Sequence, residues 1–566
     1  MNMVLIAGVA LAASMLLATV ADADDPPDPD RVREVAAMLP AAPAGLGQPI
    51  TDRESWDALA ATDGLQSVIR RAEALLDEPI PDQPDKLYLE FSRTGNRTHW
   101  QNVANKRRVR VRTFALAECA ENQGRFLAAL EEFIAALCAE PTWLMPAHDR
   151  SLANFNGETV DIDLASSALG WELATADWLL GDRLSADTRA LIDENLRARI
   201  IDPYREMFTG ARTPNWWTHT TNNWNAVCLA GVTGTGLAHL VSPEERAEFV
   251  VCAECYSLNF LAGFTLDGYC SEGLGYWNYG FGHYVLLAET VRQATCGGVD
   301  MLLRPEVRAP AMFGANIQII GGVAPAFADC SVNARPDTPT MYFVNRVLGL
   351  GLAGYESLTP GQVTGNLFSA MLFNFPNAAS EAELVAADDA GPGLRSSFSD
   401  AGILISRPAP GSDCVMGVAL KGGHNAEHHN HNDVGSYVVV VGSRPVLLDP
   451  GSETYTARTF SAQRYDSKLL NSFGHPVPVV AGALQRTGRD ARGEVLASEF
   501  TDVADTLTLD LCAAYKVPEL QMLTRTFVYS RDGLGSLTVT DLVRFDSPQE
   551  FGSAFLIQGQ WQREDD

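Results

Sequence analysis

The chain has 566 residues, 46% of them hydrophobic and 20% charged, which is ordinary globular composition and long enough for more than one domain. Its formal net charge of −28 and sequence pI of about 4.7 exclude a general nucleic-acid binder, because phosphate contacts need clustered Lys and Arg. An anionic substrate is compatible with such a chain only if a basic patch is concentrated locally.

The N-terminus carries an apolar run from Met3 to about Val20, then small residues, then the acidic, Pro-rich "DDPPDPD". This pattern predicts a signal peptide over residues 1–23, although its first residues lack Lys or Arg; a membrane anchor is the competing reading. The expected location is therefore secreted or periplasmic, with no stable membrane insertion once the signal is removed. Ten cysteines are scattered along the chain without a disulfide framework, and Cys252–Cys255 is a lone CxxC inside a helical pattern. Buried free thiols are the reading that fits.

From residue 24 to about 380 the apolar positions recur at three- and four-residue steps, in segments 113–143, 161–182, 185–204, 242–264 and 281–295. Ser185 is a cap candidate, and the helix after it is expected to end near Pro203. Short Gly/Pro/Asp loops between these segments predict stacked antiparallel helix pairs. The stretch 222–227, "NNWNAV", places Asn222, Asn223, Trp224 and Asn225 ahead of an apolar helix. Two readings are open there: a helix cap with buried Trp, or a sugar-facing surface in which Trp stacks and Asn amides bond a carboxylate. The segment 266–284 holds Tyr276, Tyr279 and His283 among five glycines, and reads as a Tyr-rich turn between helices that faces a ligand.

Residues 381–400 are small, polar and Gly/Pro-bearing, and read as a linker. From 401 to 566 short β-branched runs alternate with turns, predicting an antiparallel all-β domain with a hairpin turning at Gly442 to Pro445. Four of the ten histidines, His424, His428, His429 and His431, fall within "HNAEHHNH". They lie on a turn-rich loop between two predicted strands, where imidazole is well placed for catalysis or metal binding. Asp449 ends a strongly apolar strand and needs a partner if buried, and His475 precedes another strand. His431, Asp449 and His475 together offer two nitrogens and an oxygen, a donor set suited to zinc.

Taken in order, "NNWNAV" (222–227), "DGYCSEGLGYWNYG" (267–280), "HHNHNDVGSYVVVVGSRPVLLDPGSETYT" (428–456) and "RYDSKLLNSFGHPVPVV" (464–480) resemble the heparinase II/III-like family of polysaccharide lyases, which is related to alginate lyases. The resemblance implies an incomplete (α/α) toroid followed by an antiparallel β-sandwich, with a cleft between them. It implies β-elimination at a uronic acid of an anionic polysaccharide of glycosaminoglycan or alginate type. By the same resemblance Asn223 neutralises the substrate carboxylate, His429 is the base or assists the neutraliser, and Tyr276 is the acid, with Tyr279 its competitor. Trp224, Asn225, Tyr279 and Arg464 become substrate-binding residues, and His431, Asp449 and His475 a structural zinc set.

Several family members have His where this chain has Trp224, which puts the neutralising group in question; His219 is the nearby substitute. The basic run 105–112, with Arg458 and Arg464, is the expected source of local positive charge. A noncatalytic carbohydrate-binding protein and a toroid-type glycoside hydrolase are the alternatives, the latter needing two carboxylates across the cleft, for which Asp267 and Glu272 are the candidates. An anionic polysaccharide is the expected partner, and a homodimer the expected assembly if the chain associates.

Overall fold

The computed structural model describes residues 26–375 and 392–559. The signal expected at 1–23 and the first part of the linker expected at 381–400 lie outside the described residues. A strand already runs through the rest of that linker span, at Arg395–Phe398.

The N-terminal region is helical. Helix Leu164–Leu180 opens on a reciprocal cap, in which the Asp163 carboxylate accepts from the Ser166 amide and the Ser166 hydroxyl from the Asp163 amide. Ser185 caps the helix Ala186–Leu196 as expected, but that helix does not end near Pro203. A π turn over Arg197–Ile201 leads into a further helix, Asp202–Phe208, so the proline sits in a first turn, where its missing N–H costs no bond. Helix Asn223–His239 is the innermost: Asn223 and every residue from Asn225 to Ala238 are buried, which is why its sequence is apolar or small all round. It packs between Leu164–Leu180 and the helix Gly273–Ala294. Glycine makes this approach close enough, since a Cβ at position 280 would lie 2.9 Å from Asn223 Cβ. The segment read as a turn is therefore helical from Gly273 onward. Gly280 admits the neighbouring helix, Gly273 and Gly275 admit the segment Phe327–Cys330, and Tyr276 and Tyr279 are half-buried.

The C-terminal region contains β1 (Arg395–Phe398), β2 (Ile403–Ser406), β3 (Met416–Lys421), β4 (Gly423–Asn425), β5 (Tyr437–Val441) and β6 (Arg444–Leu447). It continues with β7 (Pro478–Val480), β8 (Gly488–Phe500), β9 (Ala504–Asp510), β10 (Leu520–Ser530), β11 (Ser536–Phe545) and β12 (Phe551–Ser553). One sheet has the order β1-β2-β3-β5-β6, a second β11-β10-β9-β8-β4, and β12 pairs β7; all pairings are antiparallel. The expected hairpin is present, with Val441 opposite Arg444 and a turn of Gly442 (φ +63°) and Ser443; Pro445 already lies in β6.

The first sheet is covered on both sides. Leu404, Val418, Leu420 and Val439 face the second sheet with Leu509, Leu523 and Phe527, whereas Ile403, Ile405, Ala419, Val438 and Val440 join the core of the helical region. Burial on both faces explains the unbroken "YVVVV" of β5, where a half-exposed strand would alternate. It also seats the β4–β5 loop, 426–436, against the N-terminal ends of the inner helices. The ten cysteines are free thiols, most of them buried. Among the described residues no helix is long and apolar enough to cross a membrane.

Candidate active site and metal site

A cavity of about 790 Å³ opens where the two regions meet. Its helical wall holds Arg97, His148, Trp216, Asn223, Trp224 and Tyr276; its β wall holds His428, His429, Tyr455, Phe460 and Arg464. A second cavity of about 530 Å³ lies across Tyr276 and Tyr455 and is lined also by Gln101, Tyr279 and Ser331. Tyr279 thus belongs to the neighbouring space rather than to the main cavity.

His429 adopts a left-handed backbone (φ +55°), a conformation open to few residues other than Gly and Asn, and this turn separates its ring from that of His431. The turning residue is thus His429 itself. Its ring stacks on Tyr276 with centroids 3.8 Å apart. His429 Nδ1 lies 2.8 Å from Asp329 Oδ2, a partner that orients the ring, and Nε2 lies 3.5 Å from Glu272 Oε2. The Tyr276 hydroxyl is 2.7 Å from that of Tyr455, which donates to Asp329 Oδ2 at 3.1 Å. Burial pushes the Tyr276 phenol up to about 12, and the nearby Asp329 and Glu272 charges add to this against the opposing Tyr455 bond. The phenol is therefore a proton donor throughout the neutral range.

Asp329 is the hub that sequence reasoning missed. Its Oδ1 takes His431 Nε2 at 3.0 Å and Arg464 Nη2 at 2.9 Å, while Oδ2 takes His429 and Tyr455. Burial alone would raise its pKa; the bonds from His429 and His431 and the Arg464 charge outweigh burial and hold it well below the carboxylate range. Arg464 reaches the cavity wall as expected, but its donors are engaged by Asp329, the Asn430 carbonyl and the Thr459 carbonyl, so it fixes the loop.

On the helical side, Asn222 is the helix cap, accepting from the Trp224 amide. Asn223 lies on the cavity floor. Its backbone N–H and Nδ2 both donate to Glu272, at 2.9 and 2.6 Å, and the atom left buried without a partner is the acceptor Oδ1. In this geometry its amide donor is already taken by a carboxylate of the protein. Asn225 does not face the cavity: it is fully buried and donates to the Trp217 and Thr218 carbonyls, fixing the preceding turn, so it does not contact a ligand. Trp224 does face it, between Trp216 and His148.

The expected sources of positive charge are displaced. Residues 105–112 lie within helix Thr98–Glu121, whose pitch turns their guanidinium groups inward: Arg107 pairs with Glu140, Arg110 with Glu78, and Arg108 bonds the Trp143 and Ala165 carbonyls. Arg458 pairs with Glu453, and His219 is exposed and does not line the cavity. The basic residues lining the cavity from the helical side are instead Arg97, His148 and Arg150, none of them singled out by composition; Arg150 donates to the Phe460 carbonyl. His428 stands at the mouth, 3.2 Å from the Thr221 hydroxyl, while His424 lies in β4 outside the cavity.

Behind His429, His431, Asp449 and His475 are all buried, with one donor atom of each within 4.8 Å of the others. His431 Nδ1 and His475 Nε2 have no hydrogen-bond partner, although both are buried. Their opposite nitrogens are held by Asp329 and Asp449, which fixes the tautomers with the free lone pairs facing inward. Two orphaned imidazole nitrogens beside a carboxylate fit a bound metal ion and leave the pair unexplained otherwise. Asp329 therefore bonds both the cavity histidine and a candidate metal ligand.

Residues 390–566 match the family described as Heparinase II/III-like, C-terminal. No curated protein matches the chain in sequence. Among solved structures, the chain is similar to heparinase III, at a TM-score of 0.54 and 13% identity over 78% of this chain, spanning 63% of that one. A second heparinase III structure, with methylated lysines, gives 0.55 and 12% over 89% of this chain and 81% of that one. Heparan sulfate lyase HepC from Pedobacter heparinus gives 0.50 and 13% over 86% and 74%. The C-terminal part of this chain thus matches the heparinase II/III-like C-terminal family, and the described residues have the helical-toroid-plus-β-sandwich fold of heparinase III.

Proposed function

We propose that the protein is a polysaccharide lyase that cleaves a uronate-containing anionic polymer, of glycosaminoglycan or alginate type, by β-elimination. The observation that carries this reading is the stacking of Tyr276 on His429 at one cavity, with a protonated phenol beside an imidazole that Asp329 orients through Nδ1. Elimination needs such a pair. His429 Nε2 takes the proton from C5 of the uronate, the electron pair forms the C4=C5 double bond, and the C4–O4 bond breaks. Tyr276 gives its proton to O4. The products are an unsaturated uronate end and a free hydroxyl, and no water is consumed.

The similar solved structures carry the names heparinase III and heparan sulfate lyase, which supports a glycosaminoglycan as the first polymer to try. Asn223 donates to Glu272 and reaches a substrate carboxylate only where the ligand displaces Glu272. The buried His431–Asp449–His475 set would hold zinc, which when bound pins the loop that presents His429. The apolar N-terminus supports export, to the periplasm or outside. Self-association as a homodimer is read directly by sedimentation.

Incubation with a panel of uronate polymers tests the reading. Growth of ultraviolet absorbance from unsaturated ends supports it. New reducing ends without that absorbance would mean hydrolysis, and binding without either would mean a noncatalytic protein. Hydrolysis lacks its carboxylate pair here: among the described residues Glu427 is the one carboxylate lining the main cavity, and neither Asp267 nor Glu272 lines it.

A further inference from the structure

Arg97 is a cation in the cavity wall without an anion. Among the described residues no carboxylate lies within 4.0 Å of its guanidinium, its Nε is buried with no partner, and its one hydrogen-bond contact is Nη2 to His148 Nε2 at 3.4 Å. Its Cζ lies 5.6 Å from the Tyr455 ring centroid and 5.7 Å from that of Phe460. Other buried arginines without a carboxylate are satisfied differently: Arg108, Arg246 and Arg407 each donate to two or more backbone carbonyls. Arg97 has neither kind of acceptor. A desolvated guanidinium left this way is unfavourable unless a ligand completes it.

The group is also held in place. Asp163, fully buried, lies 2.6 Å from His148 Nδ1, so the proton sits on that nitrogen and Nε2 presents its lone pair to Arg97. Trp224 packs at a steep angle against the His148 ring, with centroids 4.5 Å apart. The chain Asp163–His148–Arg97 thus holds the guanidinium in the cavity wall beside Tyr455, whose hydroxyl meets that of Tyr276. Asn223, by contrast, has its amide donor on Glu272, and the atom it leaves without a partner is an acceptor.

We propose that Arg97, positioned by His148 and Asp163, is the binding residue for the carboxylate of the uronate that loses its proton. This rests on the lyase reading and names the group that recognises the substrate's charge. The planar fork matches a carboxylate in a bidentate pair. Trp224 then supports His148 from the side.

The test uses the full chain carrying Tyr276→Phe, to prevent turnover, and titration calorimetry at fixed ionic strength. The probes are uronate tetrasaccharides of glycosaminoglycan and alginate type, each with its carboxyl-reduced counterpart. The parent should bind at least one acid form about tenfold or more tighter than the reduced form. Arg97→Gln should shrink that preference to about threefold or less, and Arg97→Lys, which keeps the charge without the fork, should fall between. Unchanged preference in a folded Arg97→Gln chain overturns the assignment and leaves the lyase reading standing. A parent that binds none of the acid forms overturns both.

Discussion

The hydroxyls of Tyr276 and Tyr455 lie 2.7 Å apart across the junction of the helical and β regions, and Tyr455 extends the contact to Asp329. The acid of the proposed reaction is thereby held from the β side while its backbone belongs to a helix. Catalytic geometry depends on the two regions being locked together, which the doubly covered first sheet provides.

Tyr276→Phe and His429→Ala should each lower kcat on a cleaved uronate polymer by about 100-fold or more, the usual worth of a positioned acid or base. Circular dichroism and melting should show both variants folded, since each side chain faces a cavity. Two folded variants with near-normal turnover would show that other groups move the protons.

Asp329→Asn removes the charge shared by His429, His431 and Arg464 and offers an amide donor to groups that already donate. The His429 ring is then no longer oriented by a carboxylate at Nδ1. We expect kcat to fall by about 100-fold with a smaller change in KM, as when a carboxylate that orients a catalytic imidazole becomes an amide. A change confined to KM would place Asp329 in binding instead.

How far these residues could be read from the sequence depended on whether their signal was local. Asp449 was legible because it ends an apolar strand, where burial demands a partner, His475 because it precedes another strand, and His431 because it belongs to the cluster of four histidines at 424–431. Asp329 was not, because "FADCSVN" has no distinguishing pattern and its partners lie 100 or more residues away. Arg97 and His148 were hidden in the same way, since an arginine that lacks a partner is recognised only once its surroundings are assembled. Asn225 misled in the opposite sense: beside Asn223 in sequence, it points along the other side of the first helical turn and caps a preceding loop. The glycines of 273–282 read as a turn, yet the segment is helical, and Gly280 marks where one helix admits another.

Purified protein should contain about one zinc per chain, since two imidazoles and a carboxylate leave only one donor to complete a tetrahedral site. Chelation, or His475→Ala, should lower the melting temperature by about 5 °C or more, because metal binding to a buried set is folding free energy. Melting unaffected by a chelator, with metal far below stoichiometric, would remove zinc from the account.

His283 gives a separate handle on stability. Burial lowers its pKa to about 4, against the raising effect of its bond to the Tyr279 carbonyl. The folded protein keeps this ring neutral while the unfolded chain takes up a proton near pH 6.5, so between those values the unfolded state binds more protons. Stability from this group is full above about pH 6.5 and declines as pH falls toward 4, by about 3 kcal/mol in total. Denaturant titrations across that window should show a shallower decline in His283→Leu; an unchanged slope would mean that other groups set the acid sensitivity.

Elimination and hydrolysis differ in the fate of water, and that difference is the most direct test. Cleavage of a uronate polymer in water enriched in heavy oxygen, followed by mass spectrometry of the fragments, reads it in one measurement. The account predicts fragments with no heavy oxygen incorporated and one fragment of each pair unsaturated. One heavy oxygen per cleavage, with saturated fragments throughout, would contradict β-elimination by Tyr276 and His429.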